Sequence, residues 1–202
     1  MNNNQSPLLG RGTGEAAPLH LMLDLETAST RPDAAILSIA IVPFEPLGEG
    51  RSADYCYCAN IDLTSCFLEG DHIDADTQSW WQRQSPAARI ALLDASKCTI
   101  RRAITEAYNH LAGLAETREL VMYSRGIDFD FPILEHAIRK YVEPSEMPYK
   151  YWNKRDVRTI LALAGVSKDD VPRVGDAHSA ISDCLTQIAQ VQYAMRKLKM
   201  EN

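Results

Sequence analysis

The stretch LHLMLDLET, residues 19–27, is a short apolar run that ends in acidic residues, and this pattern predicts a buried β-strand reaching a sheet edge. Asp24 and Glu26 are separated by one residue, so on a strand their side chains point to the same face. Two adjacent carboxylates repel each other unless a cation or a shared proton offsets the charge. The pair therefore indicates a site for a hard divalent cation. A strand end emerging into solvent is the alternative, and it is the more common reading of an isolated pair.

The rest of the chain predicts further strands and helices around this one. Residues 34–44 and 53–62 predict a second and a third strand, the third antiparallel to the second, and residues 119–124 predict another. Helices are predicted at Trp80 and Trp81, from Ser85-Pro86 onward, and over residues 98–116, 130–142, 155–165 and 181–199. Asp76 or Thr77 is expected to cap the helix that carries the two tryptophans. Three strands followed by alternating helices and strands predict an α/β or α+β domain with a mixed sheet.

Two further acidic motifs follow in the chain. In YSRGIDFDFPILEHA, residues 123–137, Asp128 and Asp130 lie where a strand gives way to a helix, although acids there are also ordinary helix caps. In AHSAISDCLTQ, residues 177–187, His178 precedes Asp183 near the start of the last helix. An imidazole there can take a proton from water near neutral pH. Taken alone, this last pair is more commonly a solvated histidine and a surface acid.

In order and local sequence, DLET, FDFPIL and HSAISD resemble the three exonuclease motifs of the DEDDh (DnaQ-like) family. The resemblance covers the chain from about residue 19 onward. The blocks WWQRQSPAAR and KYWNKRDVRT are also similar to the phage DexA-type 3′-5′ exonucleases. The resemblance implies an α/β, RNase H-like domain over residues 18–202, with a central mixed sheet flanked by helices. Residues 1–17 have no periodicity and predict a flexible tail.

The resemblance also implies a role for each motif residue in releasing nucleoside 5′-monophosphates from a 3′ end. Asp24 would bridge two Mg²⁺ ions, for which Mn²⁺ is the possible substitute, and Glu26 with Asp183 would complete the ion that carries the attacking water. Asp130 would support the second ion, and His178 would act as general base. Asp130 is preferred to Asp128 because Phe129-Asp130 matches the Phe-Asp step of the family.

Four residues are predicted to contact the substrate: Thr27 of the first motif, Trp81, Arg125 and Arg155. One of the two adjacent tryptophans is expected in the core, and the other could stack on a base. For Trp152 core packing is favoured.

Each of the arginines near the motifs has more than one expected role. Arg125 could meet a substrate phosphate or pair with a local acid. One of Arg155 and Arg158 could contact the substrate backbone or orient a catalytic carboxylate, or both could stand in solvent beside a helix cap at Asp156.

Composition and net charge limit the kinds of function and location that this sequence is expected to have. A net charge of −6 argues against binding through a broad basic surface, but not against holding nucleic acid through metal ions. Five cysteines without CxxC spacing favour reduced thiols over disulfides or zinc. No signal peptide or membrane span is predicted, so the expected location is the cytoplasm, that of the host if the chain is phage-encoded.

Single-stranded DNA is the expected substrate. The rivals are an exoribonuclease, a catalytically silent nucleic-acid binding module and a proofreading partner of a polymerase. The sequence leaves the preferred metal and the oligomeric state open.

Overall fold

A computed structural model describes residues 16–52, 55–86, 88, 96–143, 146–175 and 178–200. Most of the predicted tail, residues 1–15, and most of the helix predicted from Ser85-Pro86 lie outside these ranges. The strands form one six-stranded mixed sheet in the order β4-β3-β2-β1-β5-β6. They are β1 (Leu19–Thr27), β2 (Ile36–Phe44), β3 (Tyr57–Ile61), β4 (Lys97–Cys98), β5 (Leu120–Ser124) and β6 (Lys154–Asp156).

Helices flank this sheet on both faces. They are α1 (Leu63–Leu68), α2 (Ala75–Gln82), α3 (Ile100–Ala115), α4 (Asp130–Tyr141), α5 (Val157–Leu163) and α6 (Ala180–Met200). Short 3-10 helices occupy Tyr151–Asn153 and Lys168–Asp170. The predicted mixed sheet flanked by helices is therefore confirmed, and β3 runs antiparallel to β2 as expected.

The two cores explain where the acids of β1 point. Leu21, Leu23 and Leu25 pack with α3 and α4 on one face of the sheet. Met22 points to the opposite face and packs with α6. Since side chains alternate along a strand, Asp24 and Glu26 share the face of Met22. The apolar stripe that packs against α6 thus becomes acidic towards the end of β1.

The pairing of β1 leaves its acidic end partly free. From His20 to Thr27, β1 pairs with β2, with Asp24 opposite Ala40 and Glu26 opposite Ser38. Its parallel pairing with β5 extends only from Leu19 to Met22. Beyond Met22, one edge of β1 is therefore open to groups from the turn after β5.

Three local predictions have clear outcomes. Helix α2 begins at Ala75 with Asp74 as its cap, not Asp76 or Thr77, because Asp74 is extended and its carboxylate accepts the Thr77 N–H at 2.8 Å. Asp156 caps α5 as foreseen, accepting the Arg158 N–H at 2.7 Å. The core packing favoured for Trp152 is wrong: this side chain is 58% exposed, and the neighbouring Asn153 takes the buried position.

Among the described helices, none combines the length and the apolar character required to cross a bilayer.

Candidate active site

The acidic end of β1 opens into a cavity of about 230 Å³ that lies between the sheet and the start of α6. Glu26 is 8% exposed, and Asp24 is partly buried. The cavity is lined by residues of all three acidic motifs and by Arg173: Asp24, Leu25, Glu26, Arg125, Phe129, Asp130, Arg173, His178, Asp183, Thr186 and Gln187.

Asp130 reaches this cavity from the first turn of α4. Its side chain is buried, and its Oδ1 accepts the Leu25 N–H at 3.1 Å, on the edge of β1 that β5 leaves unpaired. The chain turns between β5 and α4 at Gly126, whose φ is +112° and where an added Cβ would lie 2.7 Å from the Arg158 guanidinium. Asp128 is exposed and does not line the cavity.

His178 and Asp183 approach the same space from the start of α6. The potential metal-ligand atoms of Glu26, His178 and Asp183 all lie within 4.8 Å of one another, so these three residues could hold a metal ion. Asp183 is ion-paired with Arg173.

Two tryptophan rings surround the imidazole of His178. It lies edge-to-face with the ring of Trp80 at 4.8 Å and with that of Trp81 at 5.9 Å. His178 has a φ of 60°, a left-handed conformation that is unusual for a residue with a side chain.

Burial and crowding raise the pKa values of carboxyl groups in this cavity. Burial and the charges of Asp130, Glu26 and Asp183 raise the pKa of Asp24 well above its ordinary value. Burial, with Asp183 close by, raises the pKa of Glu26 to about 8, and burial raises that of Asp130 to about 7. Anions held this close need a cation, and oxygen-rich clusters of this kind suit hard divalent ions.

Burial lowers the pKa of His178, and Arg173 adds to this effect, while Asp183 opposes it. A lowered pKa keeps the imidazole neutral at pH 7, so that it can accept a proton.

The four residues predicted to contact the substrate occupy different positions relative to the cavity. Arg125 lines the cavity, and its Nη1 donates to Gln190 Oε1 at 3.1 Å. Trp81 donates its indole N–H to the Thr27 carbonyl at 2.9 Å. Thr27 itself is buried, and its hydroxyl donates to the Ser29 carbonyl. Arg155 does not line the cavity, since its guanidinium donates to the carbonyls of Trp152 and Lys154.

Two cavity residues that contact the carboxylates of the site were missed by the sequence reasoning. Gln187 follows Asp183 by four residues, which places both on one face of α6, and its Nε2 donates to Asp24 Oδ1 at 2.7 Å. The helical spacing was a usable signal for this residue. Arg173 lies in a loop without periodicity, so its pairing with Asp183 had no signature in the sequence.

Comparison with known proteins agrees with this geometry. Residues 19–195 match the family model of the 3′-5′ exoribonuclease Rv2179c-like domain. The chain is also 30% identical over 204 aligned residues to an exodeoxyribonuclease of enterobacteria phage T4, covering 87% of this chain and 88% of the phage protein.

Solved structures confirm the RNase H-like fold at low sequence identity. An E. coli ExoI–ssDNA complex with bound zinc superposes with a TM-score of 0.59 at 12% identity over 92% of this chain. Cell-death related nuclease 4 gives 0.53 at 13% over 89%, and S. pombe Pop2p, with Mg²⁺ and Mn²⁺ bound, gives 0.52 at 13% over 90%.

The chain spans 43% of the ExoI chain, 64% of the nuclease 4 chain and 84% of the Pop2p chain. Because the family model matches most of the sequence, the chain belongs to the Rv2179c-like 3′-5′ exoribonuclease domain family and is a 3′-5′ exonuclease.

Proposed function

We propose that the protein removes nucleoside 5′-monophosphates one at a time from the 3′ end of single-stranded DNA, with two divalent cations and His178 as general base. The observation that carries this proposal is the convergence of Asp24, Glu26, Asp130 and Asp183 with His178 on one cavity.

The residues of the cavity fit divalent cations. Asp24, Glu26 and Asp183 would hold one ion, and Asp130 together with Asp24 would hold the second. The raised pKa values of Asp24, Glu26 and Asp130 support this assignment, because they identify negative charge that the chain itself leaves uncompensated. When bound, such ions supply an activated water and stabilise charge on the attacking and leaving oxygens. Mg²⁺ is the ion we expect, with Mn²⁺ as a substitute.

His178 would take the proton from the attacking water. Its lowered pKa favours the neutral, accepting form at pH 7. The ring of Trp80 at 4.8 Å and that of Trp81 at 5.9 Å restrict the imidazole, so that its free nitrogen keeps one orientation. Fixing a base in this way saves the entropy of orienting it in each turnover.

Arg125 is the cavity side chain best suited to a substrate phosphate. Its hydrogen bond goes to the neutral amide of Gln190, and no ion pair of Arg125 with an acid occurs among the described residues. Its charge is therefore available to an anion in the cavity, in line with the first of the two alternatives for this residue. Trp81, whose indole N–H donates to the Thr27 carbonyl, would form the part of the site next to His178.

DNA is proposed as the substrate because the phage T4 relative is an exodeoxyribonuclease and aligns over most of both chains. RNA is the second candidate, because the matching family model is described as an exoribonuclease domain. Discrimination between them depends on contacts to the 2′-hydroxyl.

A gel time course with 5′-labelled DNA and RNA oligonucleotides of one sequence tests the proposal. We expect a ladder that shortens from the 3′ end with Mg²⁺ or Mn²⁺, is absent in EDTA, and appears faster on DNA. Asp130→Asn should abolish it, while Asp128→Asn, a matched change two residues away on the exposed surface, should leave it intact.

Faster cleavage of RNA would shift the proposal to an exoribonuclease. Tight binding of either strand without metal-stimulated cleavage would replace it with a silent binding module.

A further inference from the structure

Helix α6 carries three buried glutamines, Gln187, Gln190 and Gln192, and Gln187 is the one that touches a carboxylate of the site. Gln187 is 4% exposed, and its Nε2 lies 2.7 Å from Asp24 Oδ1. A carboxylate can only accept hydrogen bonds, so the amide must present its nitrogen to Asp24 and its oxygen to the other side.

The other half of this amide has no partner within the described chain. Gln187 Oε1 is buried and accepts no hydrogen bond from the described residues. A buried amide oxygen without a donor costs about 1–3 kcal/mol, and sequences rarely retain such an atom in a core without a reason. The donor that suits it is not among the described residues, and a water molecule carried by a hydrated cation beside Asp24 is such a donor.

We propose that Gln187 is a positioning residue for the metal site. Resting on the proposed function, the inference is that its Nε2 fixes one oxygen of Asp24 and leaves the other for a cation, while its Oε1 accepts a hydrogen bond from a cation-bound water. Groups that orient metal ligands in this way typically contribute 10–100-fold in metal affinity.

Gln192 offers a matched control on the same helix. It is 2% exposed, and its amide is fully engaged away from the cavity, with Nε2 donating to the carbonyls of Glu45 and Gly50 and Oε1 accepting the Gly50 N–H. Gln192 therefore represents a purely structural buried glutamine, whereas Gln187 has one contact to the site and one free acceptor.

The test compares Gln187→Met with Gln192→Met in the full chain, using Mn²⁺ titrations by calorimetry and melting in EDTA. Methionine keeps the length of the side chain without its hydrogen bonds. We expect Gln187→Met to weaken Mn²⁺ binding about 10–100-fold and to raise the Mn²⁺ concentration for half-maximal cleavage by a similar factor. Gln192→Met should lower the melting temperature in EDTA and keep Mn²⁺ affinity within about twofold of the wild type.

Gln187→Asn retains an amide on a shorter arm that cannot reach Asp24, so it tests the same contact if the methionine variant does not fold. Wild-type Mn²⁺ affinity in either Gln187 variant would overturn the inference and leave the proposed exonuclease function standing. If the wild-type protein itself bound no Mn²⁺ and cut no strand, the proposed function would fall and the inference with it.

Discussion

Two buried acidic regions of this protein handle negative charge in opposite ways. Asp71, beside α1, is 9% exposed, and its carboxylate receives the Lys140 ammonium at 2.6 Å and the Tyr141 hydroxyl at 2.8 Å from each oxygen. In the cavity at the end of β1, the carboxylates of Asp24 and Asp130 receive a neutral amide and a backbone N–H instead. Of the described ion pairs, the one in this cavity joins Asp183 to Arg173.

We infer that this difference separates a structural acid from the acids of the proposed site. At Asp71 the chain supplies a cation and a hydroxyl, so the charge of the carboxylate is balanced and its oxygens are hydrogen-bonded without a ligand. At the β1 cavity burial raises the pKa values of Asp24, Glu26 and Asp130, and repulsion between neighbouring acids raises those of Asp24 and Glu26 further. Folding buries these groups together at a cost, which the proposed binding of cations would recover.

The largest expected contrast is in activity. Asp24→Asn should reduce cleavage of a single-stranded oligonucleotide about 10³-fold or more, because losing a metal ligand removes several kcal/mol of transition-state stabilisation. Asp71→Asn, the same chemical change in the other region, should keep cleavage within about threefold of the wild type at 20 °C, where the protein stays folded. Equal losses in both variants would mean that the assay reports folding and would erase the distinction.

A second contrast is in the response to metal. Mn²⁺ at about 100 times its dissociation constant should stabilise the wild-type protein by about 2.7 kcal/mol and raise its melting temperature by about 5–10 °C. Asp71→Asn should show the full increase, and Asp24→Asn should show little.

In EDTA, Asp24→Asn should melt at or above the wild-type temperature, because one of the repelling charges is gone. A clearly lower melting temperature for Asp24→Asn in EDTA would contradict the picture of uncompensated charge.

The third contrast is in stability without metal. Asp71→Ala should lower the free energy of unfolding by about 2 kcal/mol, since it leaves the Tyr141 hydroxyl without its acceptor and the partly buried Lys140 ammonium with the Glu69 carbonyl but no carboxylate. Denaturant unfolding in EDTA measures this directly. Asp33→Ala, which breaks an exposed pair with Arg31, is the control and should change stability by less than about 0.5 kcal/mol.

The sequence alone predicted the elements that carry the site, because each is encoded locally. The apolar run ending in Asp24 and Glu26, the strand-to-helix turn before Asp130, and the helix carrying Asp183 are all visible as short patterns. That these three come together followed from the family resemblance, since strand order is a property of long-range pairing that short patterns do not encode.

The contacts that complete the site were not predictable in the same way. Gln187 meets Asp24 across 163 residues, and Leu25 meets Asp130 across 105. The exposure of Trp152 was misjudged because its apolar surface argues for the core, while a 3-10 turn before β6 turns it towards solvent. The position of Arg155 was not predictable either, since its guanidinium donates to nearby backbone carbonyls and no sequence pattern indicates such contacts.

The last contrast is in pH dependence, with the smallest effect per pH unit, and it isolates the acids of the cavity. The pKa of Glu26 is raised from 4.5 to about 8 in the folded protein, so between these values the folded state binds more protons than the unfolded one. In EDTA, the deprotonation of Glu26 should therefore lower the free energy of unfolding by about 1 kcal/mol per pH unit as pH rises from about 5 to 8, and Asp24 and Asp130, whose pKa values are also raised, act in the same direction. Glu26→Gln should reduce this slope by the contribution of Glu26. With saturating Mn²⁺ the slope should reverse, because cations bind the deprotonated carboxylates. A wild-type protein whose stability in EDTA rises over this range would show that Glu26 is already compensated, as Asp71 is, and that the cavity has no deficit of positive charge for a metal ion to fill.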